Sequence, residues 1–471
     1  MYQVDSPHFV VHSDRSAERA SELAQDLERR HLALDLIAFP YDPPFKRKTE
    51  VVEFSEWVDL GPVGSEAVGV HSGKWEWHTG MSLVVLSGKD HDATALIATH
   101  ELTHSFVAHH LPGAPTWLNE GLAKYCETLD FEANRAVFGL HLLTYAQVKQ
   151  PSVQLTFLPE RVLSLGQIAT LTQEQFYEHM EINYVSAWAT VHALYSPAYR
   201  PAFESYLDAL HEAVVPPDQA FQTALGAVDQ AAVRRLAQEI IENSGLTLRR
   251  IPINRDPSSD LRAPRRLSDA EVLTLFARAA TFNDKQALAI AQRAARLAPE
   301  DPEALTILGN LELASAPSQG VQHVVAAYRL AQAARRPRYA AAVLRLAEVG
   351  APIGKDLQVQ AARDLMHGAR TPQELEALSL HLLRSGRARG ALKYATKAVA
   401  ADPGRPSALQ ALARVSSALG QDESAVTFQE RAVNMWGHDV SPASVKLLAG
   451  FRAQAARNPA SSGTGQKGPV Q

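Results

Sequence analysis

The sequence lacks the marks of a disulfide-built, membrane-spanning or nucleic-acid-binding chain. It has one cysteine, Cys126, in 471 residues, which excludes an intramolecular disulfide framework. No apolar run approaches the ~20 residues that span a bilayer. The formal net charge is −5, mild for this length, and no long basic face appears. The short run FKRK, Phe45 to Lys48, reads as a solvated loop, so nucleic acid is not an expected partner. No signal peptide precedes the first apolar segment. As the sequence stands the expectation is a cytoplasmic protein, or an exported, periplasmic one if an upstream signal is missing.

What is present is enough for two or three domains. Apolar residues make up 46% of the chain, so a substantial core is available. The chemistry concentrates between His100 and Tyr125, HELTHSFVAHHLPGAPTWLNEGLAKY. Residues Asp92 to His110 carry apolar positions at helical spacing (Leu96, Ile97, Leu102, Phe106, Val107). Asp90 or Asp92 is a candidate cap. Leu111-Pro112-Gly113 stops the helix. On it, His100 and His104 lie one turn apart on one face, a spacing of two imidazoles that suits Zn²⁺. Glu101 sits beside the first of them, where a general base belongs.

A catalytic zinc needs a third protein ligand and an open fourth position. Pro115 allows a second helix over Thr116 to Glu127. A tight turn at Leu111 to Ala114 would fold it back, so that Glu120 completes a His₂Glu site. His109 and His110 are rival ligands, read instead as solvated groups or partners of the helix C-terminus. Cys126 reads as a small buried hydrophobe. Mn²⁺ or Co²⁺ suits the same ligand types.

HELTH followed by WLNEGLAKY resembles the gluzincin metallopeptidases, and the second run is similar to that of their zinc aminopeptidases. The resemblance implies zinc on His100, His104 and Glu120, with Glu101 as catalytic base. It also implies a proton donor for the oxyanion. Tyr184, in NYVSAWATVHALY, is the candidate, with Tyr177, Tyr195 and His192 as rivals. Two features depart from the aminopeptidases. The gap between HExxH and the third ligand is shorter, and GMSLVVL lacks the GxMEN motif that grips a free amino terminus. Aminopeptidase activity is therefore not carried over. Compact bacterial gluzincin-like domains followed by tetratricopeptide repeats match better. In gluzincins the strand before the HExxH helix, here Ser82 to Leu86, lies at the sheet edge and binds substrate backbone by strand addition.

In chain order, strands are expected at Pro7 to His12 and Glu50 to Phe54, with Val58 to Leu60 as an extension. Val68 to His71 and Trp75 to His78 read as short paired strands or an active-site rim. A long helix is expected at Ser16 to Leu36. Further helices are expected around Ala133 to Val148, Leu171 to Glu181 and Ser186 to Tyr195, then from Tyr199 to Asn243. Arg249 to Leu267 is rich in Pro, Arg and Asp and reads as a linker. From Ser268 the composition turns to Ala, Leu, Arg and Gln. Pro299 and Pro403 stand 403 − 299 = 104 positions apart, close to three repeats of ~34 residues. The pattern resembles tetratricopeptide repeats, degenerate from about Gln319 to Ser385, and repeats of that kind bind peptides or proteins. The tail is Ser/Gly/Pro-rich.

The expected fold is an α+β zincin-like N-terminal domain (1–248), a linker (249–267), an all-α tetratricopeptide-like solenoid (268–452) and a disordered tail (453–471). The expected function is a zinc-dependent peptidase whose repeats recruit a peptide, a protein substrate or a partner. The alternative is a repeat-type interaction scaffold with a structural or inactive zinc site.

Overall fold

A computed structural model describes residues 1–42, 44–55, 69–72, 76–79, 81–87, 91–132, 134–140, 159–242, 248–253, 260–280, 283–332, 336–437 and 440–457. The chain divides into two compact units. Unit 1 comprises Met1–Glu76, Met81–Glu212 and Pro216–Ala287, and unit 2 comprises Trp77–Gly80, Ala213–Val215 and Leu288–Gln471.

Unit 1 is built on a mixed sheet. Its strands are β1 (Tyr2–Asp5), β2 (Phe9–Ser13), β3 (Thr49–Phe54), β4 (Gly69–Ser72), β5 (Ser82–Ser87) and, later in the chain, β9 (Arg265–Arg266), in the order β4-β5-β3-β2-β1-β9. β2, β3 and β5 run parallel, while β4 is antiparallel to β5 and β1 to β2. Every residue of β3 is buried, as a strand covered on both faces requires. Its alternation sorts the two faces. Val52 and Phe54 pack with Leu83 and Val85 of β5 against Leu275 and Ala279, which belong to the helix Asp269–Ala279. Glu53 points the other way, to Arg19 (2.6 Å to Nη2) and Ser13 (2.7 Å to Oγ), on the side of helix α1 (Ala17–Ala33).

Two buried carboxylates in one central strand are costly unless paired. Glu50 is held by Arg278 and by His12 at 2.9 Å. Burial pushes its carboxyl up, but Arg278 and His12 outweigh burial and hold it at about 2.

The strand expected at the edge, Ser82 to Leu86, is interior. β4 covers it in register (Val70 opposite Val85), so among the described residues β4 is the edge. Trp75 and the 58–62 segment lie outside the described residues, and Glu76–Thr79 forms a helical turn, α2, not a strand. The helix expected around Ala133 to Val148 is replaced over Arg135–Phe138 by strand β7. It pairs with β6 (Asp130–Glu132) and β8 (Arg249–Pro252). Ala133 and 141–148 are outside the described residues. The segment read as a linker thus supplies β8 and β9. The next helix, Asp269–Ala279, packs on the sheet of unit 1 rather than opening the repeat unit. Arg- and Pro-rich strands of two to four residues have no alternation from which to be read.

The remaining helices of unit 1 are α3 (His91–His110), α4 (Thr116–Glu127), α5 (Leu165–Ala169), α6 (Gln173–Glu178), α7 (Met180–Leu194), α8 (Arg200–Glu212), α9 (Pro217–Leu225), α10 (Gln230–Ile241) and α11 (Asp269–Ala279).

In the C-terminal region the helices are α12 (Asp284–Leu297), α13 (Pro302–Glu312), α14 (Pro317–Leu330), α15 (Arg336–Glu348), α16 (Lys355–Gly368), α17 (Pro372–Arg384), α18 (Ala388–Ala401), α19 (Pro406–Ala418), α20 (Asp422–Trp436) and α21 (Pro442–Arg457). They pair as hairpins, α13 with α14, α15 with α16, α17 with α18 and α19 with α20. The first helix of each pair carries Pro in its first turn (Pro302, Pro337, Pro372, Pro406), and Pro442 opens α21. That is a repeat of tetratricopeptide length, with Pro where the missing N–H costs nothing. The stretch expected to be degenerate, Gln319 to Ser385, keeps the same hairpin lengths. Helix α21 continues to Arg457, beyond the expected start of the tail. Residues 458–471 are outside the described residues.

Candidate metal centre

α3 and α4 are joined as the sequence predicts. Gly113 adopts φ +79°, a left-handed conformation that favours glycine. Ala114 N–H bonds Leu111 O at 3.0 Å, closing the turn. Pro115 then caps α4. Leu102, Phe106 and Val107 of α3 and Trp117, Leu118 and Leu122 of α4 are buried, which fixes the roll of both helices. Against α4 lies α7, buried along most of its length. Gly121 makes the approach possible. A Cβ there would meet Val191 Cγ2 at 2.7 Å and the Ala187 carbonyl oxygen at 2.8 Å.

Among the described residues, one group of three or more His, Cys, Asp or Glu side chains converges: the donor atoms of His100, His104 and Glu120 lie within 4.8 Å of one another. Glu120 Oε2 is 3.4 Å from His100 Nε2 and 3.7 Å from His104 Nε2. That oxygen is buried and has no hydrogen-bond partner. The opposite nitrogen of each ring is fixed. His100 Nδ1 lies 3.0 Å from Glu127 Oε2, and His104 Nδ1 lies 3.0 Å from Asn119 Oδ1. Both partners are acceptors, so each Nδ1 carries the proton and donates. In the neutral rings that bind a metal, each Nε2 would keep its lone pair on the side of Glu120, the tautomer that metal-binding histidines adopt. Lys124 Nζ also donates to Glu127 Oε2, at 2.7 Å.

The electrostatics suit a cation. Burial would raise the Glu120 carboxyl, but the two imidazoles outweigh it and hold Glu120 well below the usual range. Burial would lower the His100 imidazole, but Glu120 and Glu127 outweigh it and hold His100 above its ordinary value. A buried set of two imidazoles and one carboxylate that favours positive charge at its centre fits a zinc-type ion in number and kind of donor.

The other expected residues fall as follows. Glu101 is half-buried on α3, next to His100. Tyr184 lies on α7 with its ring 6.3 Å from that of His100. Burial first, then the Glu120 charge, push its phenol up, so it is neutral. Its rival Tyr177, on α6, reaches the site more directly, donating to Glu120 Oε1 at 2.7 Å. Tyr195 and His192 instead pack on Tyr125 in the core, at 5.0 Å and 5.4 Å.

Cys126 is fully buried and outside the cluster, its thiol pushed up to about 12 by burial. His110 is neither solvated nor a dipole partner. It is fully buried among Phe39, Tyr41, Phe106 and His109, and burial, then His109 and His211, pull it down to about 3. His109 is half-buried, its Nδ1 3.3 Å from Arg47 Nη2.

Asn119 and Glu127 escaped the sequence reading, although a signal was there. Glu127 follows Glu120 by two helical turns, so both carboxylates share the face of α4 that meets the histidines.

No protein family matches the chain. No curated protein matches it either. Among solved structures, the crystal structure of a thermophilic TPR protein from Thermus thermophilus is similar at 19% identity. The alignment covers 40% of this chain and 95% of that one, with a TM-score of 0.27.

Proposed function

We propose that unit 1 is a zinc-dependent peptidase of gluzincin type, and that the helical repeats recruit its protein substrate or a partner. The observation that carries the metal is the convergence of His100, His104 and Glu120 within 4.8 Å, with both histidines fixed from behind by Glu127 and Asn119. The peptide-bond assignment rests on the resemblance of HELTH and WLNEGLAKY to gluzincins. Bound zinc supplies Lewis-acid chemistry, lowering the pKa of water to ~7 and polarising a carbonyl.

The chain supplies the rest. Glu101 takes the proton of the attacking water on its carboxylate and passes it to the leaving amine. Tyr184, neutral, donates its hydroxyl hydrogen bond to the carbonyl oxygen as charge develops there. β4, with an unpaired side among the described residues, takes the strand-addition role that the sequence reading gave to Ser82 to Leu86.

A second reading is favoured by the repeated helical hairpins of the C-terminal region. In it the protein is an interaction scaffold and the metal site is structural. One paired experiment separates the two. Elemental analysis is expected to find about one zinc per chain in the wild type and a sharp loss in His104→Ala and Glu120→Ala. Glu101→Gln is expected to keep the zinc and to lower hydrolysis of a peptide library by ~10²–10⁴-fold. Zinc without any wild-type hydrolysis would favour the scaffold, and no zinc in the wild type would remove the peptidase reading.

A further inference from the structure

The two oxygens of Glu120 face different groups. Oε2 is the buried atom turned to His100 and His104. Oε1 accepts the 2.7 Å hydrogen bond of the Tyr177 hydroxyl. Tyr177 is brought there by a helix of six residues, α6, whose placement is specified with unusual care for its length. Thr172 and Gln175 form a full capping box at its start. Phe176, next to Tyr177, is fully buried. Asn183 Nδ2 of α7 donates to Phe176 O at 2.8 Å, which pins the end of α6. Tyr177 itself is 37% exposed.

A carboxylate beside a divalent cation can offer one oxygen or both. Two would fill the position that a catalytic zinc keeps open. A donor held on Oε1 competes for that oxygen and biases the carboxylate toward offering only Oε2. We propose that Tyr177 is a positioning residue that holds Glu120 as a one-oxygen ligand for a divalent cation, a task separate from that of Tyr184. The proposal rests on the zinc reading of unit 1. It divides two phenols that share a neighbourhood (ring centroids 6.5 Å apart). One acts on the ligand and the other on the reacting carbonyl.

The test uses the full chain, stripped of metal, with Zn²⁺ titrated against a chromophoric chelator. Wild type, Tyr177→Phe, Tyr184→Phe and His104→Ala are compared. Tyr177→Phe is expected to weaken zinc binding by ~10–100-fold, the usual cost of losing a partner of a ligand. Tyr184 also interacts with Glu120 but lacks the direct 2.7 Å hydrogen bond that Tyr177 makes, so Tyr184→Phe is expected to bind within about 3-fold of wild type. With Co²⁺ as probe, the visible absorption of Tyr177→Phe is expected to weaken as Glu120 turns to offer both oxygens, while that of Tyr184→Phe stays as in wild type. The melting transition of the metal-free variants is expected to match wild type.

Wild-type affinity and spectrum in Tyr177→Phe would overturn the positioning role and leave the zinc site standing, provided His104→Ala has lost it. Weaker binding with a lowered metal-free transition would also overturn it, as a general loss of structure. Absence of zinc binding in the wild type would overturn both.

Discussion

The two units solve different problems of placement. In unit 1 the candidate site draws on residues from His100 to Tyr184, carried on four helices, and each side chain is useful only if the other three helices are in place. In the C-terminal region each hairpin is made by neighbours in sequence and the contact is repeated with small changes. Both units pair their buried carboxylates. Unit 1 buries Glu50, Glu53, Glu120 and Glu127 beside specific cations or imidazoles. The repeats bury Glu312 beside His323 and Glu376 beside Arg405, and around them pack small residues such as Ala391, Ala395, Ala408 and Ala425, all fully buried. A convergent site is bought with long-range order. A repeat array needs little of it, so the two units should fail under different stresses.

Acid is the stress expected to separate them most. His31 of unit 1 stacks on His8 at 3.8 Å and packs on Phe106. Burial, then the neighbouring His8, pull its imidazole from 6.5 to about 3. His110 is likewise pulled from 6.5 to about 3 by burial, then His109 and His211. Both rings are neutral when folded and titrate near 6.5 when unfolded. Their stabilising contribution is therefore complete above pH 6.5 and is lost as pH falls toward 3. Each pH unit in that window costs about 1.4 kcal/mol per histidine. Glu50, held at about 2 against an ordinary 4.5, adds to the loss below pH 4.5. Among the described residues of the repeats, His381 is pulled down by partial burial, then by Arg384 and Arg387. Urea melts from pH 7 to 4.5 should show the unit 1 transition moving to lower denaturant while the repeat transition holds. If both move together, or neither moves, the buried histidines do not govern unit 1.

The next effect is confined to the metal. Removing Glu127, the acceptor behind His100, is expected to weaken zinc binding by ~10–100-fold, and Asn119→Ala, behind His104, to act in the same direction. Glu127→Gln should cost less than Glu127→Ala, because an amide oxygen still accepts from Nδ1. Chelator competition measures all three. Equal affinities in Glu127→Ala and wild type would show that α3 packing alone orients His100.

How much of this the sequence disclosed follows from the range of each interaction. His100 and His104 are one turn apart on one helix, and Leu111-Pro112-Gly113 is a turn written in residue types, so the convergence of His100, His104 and Glu120 was legible. Glu127 was legible in principle by the same helical arithmetic. Tyr177 and Tyr184 were not separable, because their distances to Glu120 depend on how α6 and α7 pack, and spacing along the chain does not encode that. The short strand expected at Val68 to His71 overlaps β4, whereas β8 and β9 were hidden for a related reason. Their partners lie far away in sequence, as Tyr2 opposite Arg266, and their own residues are polar and few. The helical hairpins were legible because each is local.

The finest distinction comes from two glycines that serve the same physical purpose in the two units. A Cβ at Gly121 would sit 2.8 Å from the Ala187 carbonyl oxygen of α7, and one at Gly309 would sit 2.7 Å from the Gly320 carbonyl oxygen of α14. In both cases the obstacle is backbone, which gives only by moving a helix. Overpacking of this kind costs ~1–3 kcal/mol, and the helix preference of alanine over glycine returns up to ~1 kcal/mol. Gly121→Ala and Gly309→Ala should therefore lower stability by similar, modest amounts. Their consequences should differ. Gly121 is adjacent to Glu120, so the shift of α4 that relieves the clash carries a proposed metal ligand with it. Gly309→Ala moves α13 against α14 within one hairpin and leaves α3 and α4 where they are. Zinc affinity is expected to fall in Gly121→Ala and to hold in Gly309→Ala at matched loss of stability. Unchanged affinity in Gly121→Ala would mean that α7 yields instead of α4, and that the site is anchored from the α3 side.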